Sequence, residues 1–305
     1  MKSVLVTGAH GFLGRYVAKC FKESGYRVAA IGYGRWPAAE YAAHGIDEWL
    51  EAGIELATLQ SVPFSPDVIV HCAGSGSVGF SLQQPFEDFQ MTVDSTLAVL
   101  EYMRLVCPGA RLVYPSSAAV YGAQPDGLIS EESPVAPLSP YGNHKLIAER
   151  LCQSYTASFN LDVAIIRFFS IYGPGLQKQL LWDACQKLTA DNADSILFFG
   201  TGRETRDWLH ADDAAELILT VAEHDSKLSI INGGSGTRTT IAGILALVAG
   251  QLGSNAAITF NGQDKPGDPR FYHADITRAR SLGWSPAVRL EQGVASYVRW
   301  FKDVR

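Results

Sequence analysis

Ser139-Pro140-Tyr141-Gly142-Asn143-His144-Lys145 sets a phenol and an ammonium four residues apart. Ser139 suits a helix N-cap and Pro140 the first helical position, so Tyr141 and Lys145 fall on one face of one helix. A tyrosine near its reference pKa of ~10 is a poor acid–base group at neutral pH. An ammonium beside it, together with an oxidised nicotinamide, stabilises the phenolate and brings proton transfer within range. Upstream, Tyr114-Pro115-Ser116-Ser117-Ala118-Ala119-Val120-Tyr121-Gly122 places two hydroxyls at the end of an apolar run. Strand ends of this kind form the ligand crevice in open α/β sheets. From there Ser117 can hydrogen-bond the oxygen whose proton Tyr141 moves.

The Tyr/Lys spacing alone is common on helices, and a Ser-Ser pair alone often caps its own turn. A second cluster gives both more weight. In Val4-Leu5-Val6-Thr7-Gly8-Ala9-His10-Gly11-Phe12-Leu13-Gly14, three glycines at intervals of three separate an apolar strand from a helix. One lets the chain turn, one lets backbone approach a pyrophosphate, and one lets the helix pack close to the sheet. The helix N-terminus then offers free N–H groups to the anion. The next strand, Val28-Ala29-Ala30-Ile31-Gly32, ends without the carboxylate that normally binds the adenosine ribose. Arg35 follows three residues later and can face a 2′-phosphate. This pattern favours NADP over NAD.

These groups need a frame, and the first half of the chain supplies one. Strands are expected at Ser3–Thr7, Arg27–Ile31, Asp67–Cys72, Arg111–Pro115 and Val163–Phe169. Helices are expected from Gly11 to Ser24 and from Phe86 to Leu105, the latter with Phe89, Val93, Leu97 and Leu100 on one stripe. Strands alternating with helices give βαβ units, a parallel sheet and helices on both faces. After the break at Tyr172-Gly173-Pro174-Gly175, helices are expected at Leu180–Thr189, Ala211–Glu223, Thr240–Leu252, Ile276–Ser281 and Leu290–Phe301. Asp212 or Asp213 is the expected cap of the second of these.

Composition narrows the class. The 305 residues are 47% hydrophobic, carry a net charge of −6 and suit one large or two modest domains. The acidic balance argues against a nucleic-acid partner. Five scattered cysteines read as reduced thiols, and no histidine spacing suggests a metal. The N-terminus shows no signal-peptide pattern, and no apolar run approaches the ~20 residues of a membrane span. A cytoplasmic protein without membrane attachment is the expectation.

Together the motifs closely resemble the extended short-chain dehydrogenase/reductase family, including its NAD(P)-dependent nucleotide-sugar enzymes, over nearly the whole chain. The resemblance implies an α/β fold: a Rossmann-like doubly wound parallel sheet with a smaller α/β substrate domain. Residues 1–172 and 207–233 would form the dinucleotide-binding part, and 173–206 and 234–305 the substrate part. Ser117, Tyr141 and Lys145 match the family's catalytic residues, with Lys145 also bonding the nicotinamide ribose. Gly8, His10, Gly11, Phe12, Leu13 and Gly14 fall in its cofactor loop. Val70-His71-Cys72-Ala73-Gly74 resembles the strand end that brings Ala73 and Gly74 beside the cofactor; His71 itself is expected to serve packing.

Ser77–Pro85 resembles the corresponding stretch of UDP-galactose 4-epimerases, which marks Ser77 as a substrate contact. Thr92-Val93-Asp94-Ser95-Thr96 stands where the family has Asn-Val-x-Gly-Thr. Arg167-Phe168-Phe169-Ser170-Ile171-Tyr172-Gly173-Pro174-Gly175 is similar to a nucleotide-sugar signature, with Ser170 replacing an asparagine that touches the substrate diphosphate. In the run Gly200–Asp213, Arg206 corresponds to the diphosphate-binding arginine, the alternative being an Arg206–Asp207 surface pair. Lys265 stands where relatives have arginine. Relatives commonly pair through the helices near Phe86–Leu105 and Tyr141–Phe159, so a homodimer is implied.

Dehydratases of the family carry an acidic pair where this chain has Ala118-Ala119, and alanine moves no proton. Reduction of a 4-keto nucleotide sugar and 4-epimerisation remain. The absent carboxylate and Arg35 tilt the expectation narrowly to an NADP-dependent 4-ketoreductase, with an NAD-dependent 4-epimerase as the alternative. A non-catalytic NADP-binding protein fits less well, because a sensor has no need of the phenol.

Overall fold

The computed structural model describes residues 1–305 apart from 191–193, 228–229, 264–266 and 268. The chain opens β1 (Ser3–Thr7), α1 (Phe12–Glu23), β2 (Arg27–Gly32), α2 (Ala38–Ala43), β3 (Glu48–Glu51), α3 (Leu56–Leu59) and β4 (Val68–His71). It continues through α4 (Val78–Gln83), α5 (Pro85–Phe89), a π-helical turn (Gln90–Asp94) and α6 (Ser95–Val106). Next come β5 (Arg111–Ser117), a 3₁₀ turn (Ala118–Val120), α7 (Pro140–Phe159) and β6 (Asp162–Phe168). The rest comprises β7 (Ser170–Tyr172), α8 (Gln179–Leu188), β8 (Ser195–Phe198), β9 (Thr205–His210), α9 (Ala211–Glu223), β10 (Ile230–Gly233), β11 (Arg238–Thr240), α10 (Ile241–Leu252), β12 (Ala257–Phe260), α11 (Thr277–Ser281) and α12 (Leu290–Asp303).

Seven strands form one sheet in the order β10-β6-β5-β4-β1-β2-β3, with every pair parallel. The chain winds outward from β1 to β3, then crosses to β4 on the other side of β1. That reversal opens a crevice at the C-terminal ends of β1 and β4, where open α/β sheets take their ligands. Side chains alternate across the sheet as the pleat requires. Val4 and Val6 join one core with Val17 and Phe21 of α1 and Leu217 and Ile218 of α9. Leu5 joins the opposite core with Leu100 and Met103 of α6 and Cys152 of α7. A third core, under α8, α10 and α12, holds Leu181, Leu245, Tyr297 and Phe301. Two small sheets complete the second half, β11-β9-β7 and β12-β8.

Two expectations need correction. The helix expected at Phe86–Leu105 is interrupted by the π turn, which inserts a residue and shifts the phase of everything after it. Leu97 therefore lies 40% exposed instead of on the core stripe, while Thr96 and Val99 are buried. The cap of α9 is neither aspartate: His210 Nδ1 accepts the Asp212 N–H at 3.3 Å. Asp213 is drawn away by the C-terminal segment, accepting the N–H groups of Ala287 and Val288 at 2.9 and 3.1 Å.

All five cysteines are free thiols. Among the described residues no cluster of histidine, cysteine and carboxylate side chains could hold a metal. No helix among them is long and apolar enough to cross a membrane.

Candidate active site

The glycine loop forms the floor of the crevice. Gly8 has φ +69°, and a Cβ there would meet the Ala73 backbone N at 2.6 Å. The loops after β1 and β4 thus touch, with Ala73 packed against Gly8. A Cβ on Gly14 would run into the Gly8 carbonyl at 2.4 Å. Only glycine permits this closeness, and the result is bare backbone facing the crevice. Below it, α1 begins at Gly11 with no side-chain cap and no acid in its first turn. Its first N–H groups are left for an anion. This cradle fits a dinucleotide diphosphate, with Gly8, His10, Gly11, Phe12, Leu13 and Gly14 as the residues that would hold it.

Farther along, Gly32 ends β2, and a Cβ there would come within 3.0 Å of the Trp49 ring. The indole fills the space a carboxylate would need. Arg15 lies over the Trp36 ring at 5.0 Å and donates through Nε to the His10 carbonyl at 3.1 Å. Arg35 is exposed and makes no hydrogen bond or ion pair among the described residues.

On the other wall, Ser139 caps α7 by accepting the Gly142 N–H at 3.2 Å, with Pro140 in the first turn. The Ser117 hydroxyl at the end of β5 lies close enough to the Tyr141 phenol to pull its pKa down. Ser117 is itself held by the Ala119 N–H at 3.1 Å. Lys145, one turn deeper, is buried; its Nζ donates to the Pro115 carbonyl at 3.0 Å and sits 4.9 Å from the centre of the Tyr114 ring. The sequence-predicted trio is therefore assembled. Burial raises the Tyr141 phenol above its usual range, the Ser117 hydrogen bond pulls it back, and Asp88 pushes it up again. Burial lowers the Lys145 ammonium to about 8, opposed by Cys72, Asp88 and Glu149 nearby.

Three supporting contacts had no local signal in the sequence. Ser81 accepts the Tyr141 N–H at 3.0 Å. Asp88, fully buried, pairs with His144 Nδ1 at 2.5 Å. Glu149 binds Arg167 at 2.7 Å and accepts the Ser116 hydroxyl at 2.5 Å. Each joins segments far apart in the chain. His71 serves packing, bridging Thr7 Oγ1 at 2.7 Å and Ser95 Oγ at 3.2 Å.

The substrate candidates are placed unevenly. Arg206 on β9 is buried, donates to the Thr205 carbonyl at 2.7 Å and lies 5.4 Å over the Tyr272 ring. Tyr272 in turn donates to the Ala118 carbonyl at 3.0 Å, which ties Arg206 to the turn beyond Ser117. Asp207 is fully buried and binds the N–H groups of Ser235 and Gly236, which removes the surface-pair alternative. Ser170 opens β7, partly buried. Ser77 accepts the Phe80 N–H at 3.2 Å and caps α4. Lys265 lies outside the described residues.

Comparison with known proteins gives the family and the fold. The profile of the NAD dependent epimerase/dehydratase family matches residues 4–234. A UDP-glucose 4-epimerase of Mycolicibacterium smegmatis is 31% identical, with 98% of each chain covered. MoeE5 in complex with UDP-glucose and NAD superposes with a TM-score of 0.88 at 28% identity, over 99% of both chains. The UDP-glucuronic acid 4-epimerase of Bacillus cereus, in complex with UDP-glucuronic acid and NAD, gives 0.89 at 26% identity, over 99% of this chain and 100% of that one.

Proposed function

The chain belongs to the NAD dependent epimerase/dehydratase family, and from that premise we propose that it is a nucleotide-sugar 4-epimerase working with NAD. The observation that carries this reading is the Tyr141–Ser117 contact above buried Lys145, at a strand end facing the glycine cradle. A dinucleotide held by the glycine cradle would supply the acceptor and donor for the C4 hydride. Tyr141 takes the C4 hydroxyl proton and gives it back, while Ser117 holds the same oxygen. Lys145 favours the phenolate through its charge. Arg206 takes the substrate diphosphate, for which a guanidinium fork is suited. Ser77 and Ser170 supply further hydroxyls toward the substrate. Segments 1–172 and 207–233 act as the cofactor part and the remainder as the sugar part; β10 pairing with β6 in the main sheet supports this division. Ala118 and Ala119 leave no acid beside Ser117 for dehydration. The outward faces of α6 and α7 make the chain a homodimer.

The relatives shift the balance from the 4-ketoreductase that the sequence favoured to the epimerase. One observation keeps the reductase with NADPH as a second reading: Trp49 fills the carboxylate space beside Gly32, and Arg35 is uncommitted. The test is to incubate purified protein with UDP-glucose, UDP-galactose and 4-keto nucleotide sugars, with NADH or NADPH. Interconversion without net cofactor oxidation is expected. Oxidation in step with product instead assigns the reductase, and Arg35→Ala should then weaken NADPH more than NADH.

A further inference from the structure

Two carboxylates are buried beside the helix that carries Tyr141 and Lys145, and their surroundings differ. Glu149, one turn beyond Lys145, is committed to Arg167, whose Nη2 and Nε donate to it at 2.7 and 3.1 Å. Asp88, on α5, is fully buried and forms no ion pair with a lysine or arginine among the described residues. Its Oδ2 meets His144 Nδ1 at 2.5 Å, and its Oδ1 has no hydrogen-bond partner among them. Leaving a buried carboxylate oxygen unbonded is costly. An asparagine of the same shape would carry a smaller cost, so the charge itself calls for a role.

His144 lies between Tyr141 and Lys145 on α7, with the Phe89 ring edge-on to it at a centroid distance of 5.3 Å. Ser81 of α4 adds a second hold by accepting the Tyr141 N–H at 3.0 Å. Thus α4 and α5 together fix the turn of α7 that carries the phenol. Asp88 is close enough to both working groups to favour their protonated forms. It pushes the Tyr141 phenol up and opposes the fall of the Lys145 ammonium to about 8. The other titratable groups facing the two are His71 on β4, Cys72 after it, Tyr114 on β5, and Glu149 and Cys152 on α7. Burial raises both thiols and the Tyr114 phenol and lowers the His71 ring, so these stay neutral near pH 7. Glu149 is neutralised by Arg167. Asp88 is the anion they leave to act on the pair.

We infer that Asp88 is a positioning residue for the proposed reaction: held by His144, its buried carboxylate keeps Tyr141 a phenol and Lys145 an ammonium in the resting site. The inference rests on the reading of Tyr141 and Lys145 as the acid–base machinery. Asp88 touches neither substrate nor cofactor and acts through these two groups.

Asp88→Asn keeps the shape and removes the charge. The pH profile of kcat/KM for interconversion of UDP-glucose and UDP-galactose, with NAD bound, should have an acidic limb from Tyr141 and an alkaline limb from Lys145. Without the anion both groups release their protons more readily. Both limbs should therefore move to lower pH, by about one pH unit, as one charge several ångströms away would cause. His144→Asn keeps a donor for the carboxylate and leaves its charge, so it should move neither limb to lower pH. Tyrosinate absorbance, taken as the difference between each protein and its Tyr141→Phe counterpart, follows the phenol without turnover and should show the same downward shift in Asp88→Asn. A variant that fails to fold, a profile lowered at every pH with its limbs in place, or an unmoved tyrosinate titration would assign Asp88 to structure alone and overturn the inference. A tyrosinate shift without interconversion of any sugar leaves the inference standing and removes the epimerase.

Discussion

Tyr141 meets two opposed demands, and its neighbours settle them. Burial favours the neutral phenol, whereas the proposed role needs the phenolate, the form that can accept the substrate's proton. Ser117 from β5 offsets part of that penalty, and in the proposed reading substrate and cofactor complete the surroundings in which the phenol ionises. Tyr141→Phe should lower turnover by about 10²–10⁴-fold, the usual worth of a positioned acid–base group. NAD binding should stay near wild type, because the glycine cradle is untouched. Retained turnover, measured beside cofactor fluorescence titration, would remove Tyr141 from the chemistry. Tyr141 and Lys145 were legible in sequence because, with Ser139 and Pro140, they sit within two turns of one helix, and Ser117 because it ends an apolar run. The contacts that Ser81, Asp88 and Glu149 make were not, because they depend on residues distant in the chain. Trp49 was missed for the same reason: its role is to fill space beside Gly32.

At the scale of elements, periodicity found five of the seven parallel strands and the longer helices, since each buries a continuous apolar stripe. It failed where that assumption fails. The π turn at Gln90–Asp94 shifts α6, and the half-exposed edge strand β3 has no apolar run to betray it. The shifted phase turns Ser95 toward His71, whose ring joins α6 to Thr7 of β1. Burial presses the His71 ring down to about 3, whereas an unfolded histidine titrates near ~6.5. Between these values the unfolded chain binds a proton that the folded chain refuses. Stability therefore falls as pH drops through that window, with a slope approaching ~1.4 kcal/mol per unit from this group. His71→Gln keeps hydrogen-bonding capacity and removes the titration. Urea unfolding at pH 6.5, 6.0, 5.5 and 5.0 should show a shallower decline for the variant. Parallel slopes would show that the ring is not the group responsible.

For the whole molecule, the net charge of −6 gives no guide to ligands, because both proposed ligands are anions and the cations that meet them are local. In the proposed reading Arg35 and Arg206 supply the attraction that the overall field does not. The surface away from the crevice carries a different signal. Leu97 and Leu105 on α6 are 40% and 50% exposed, and Ile147 and Phe159 on α7 are 40% and 48% exposed. The two helices are already joined, by Tyr155 donating to Glu101 and by Arg104 lying 5.3 Å over the Phe159 ring. Together they form a braced two-helix face with apolar residues outward, as a partner helix pair requires. A second copy of this chain, related by a two-fold axis, would cover it with the same residues. Light scattering should then give twice the 33.0 kDa chain mass. Ile147→Glu should shift the protein toward monomer, because burying an unpaired carboxylate in an apolar contact is costly, while far-ultraviolet circular dichroism stays unchanged. A monomeric wild type, or a dimer unaffected by Ile147→Glu and by Leu105→Glu, would move the interface off this face.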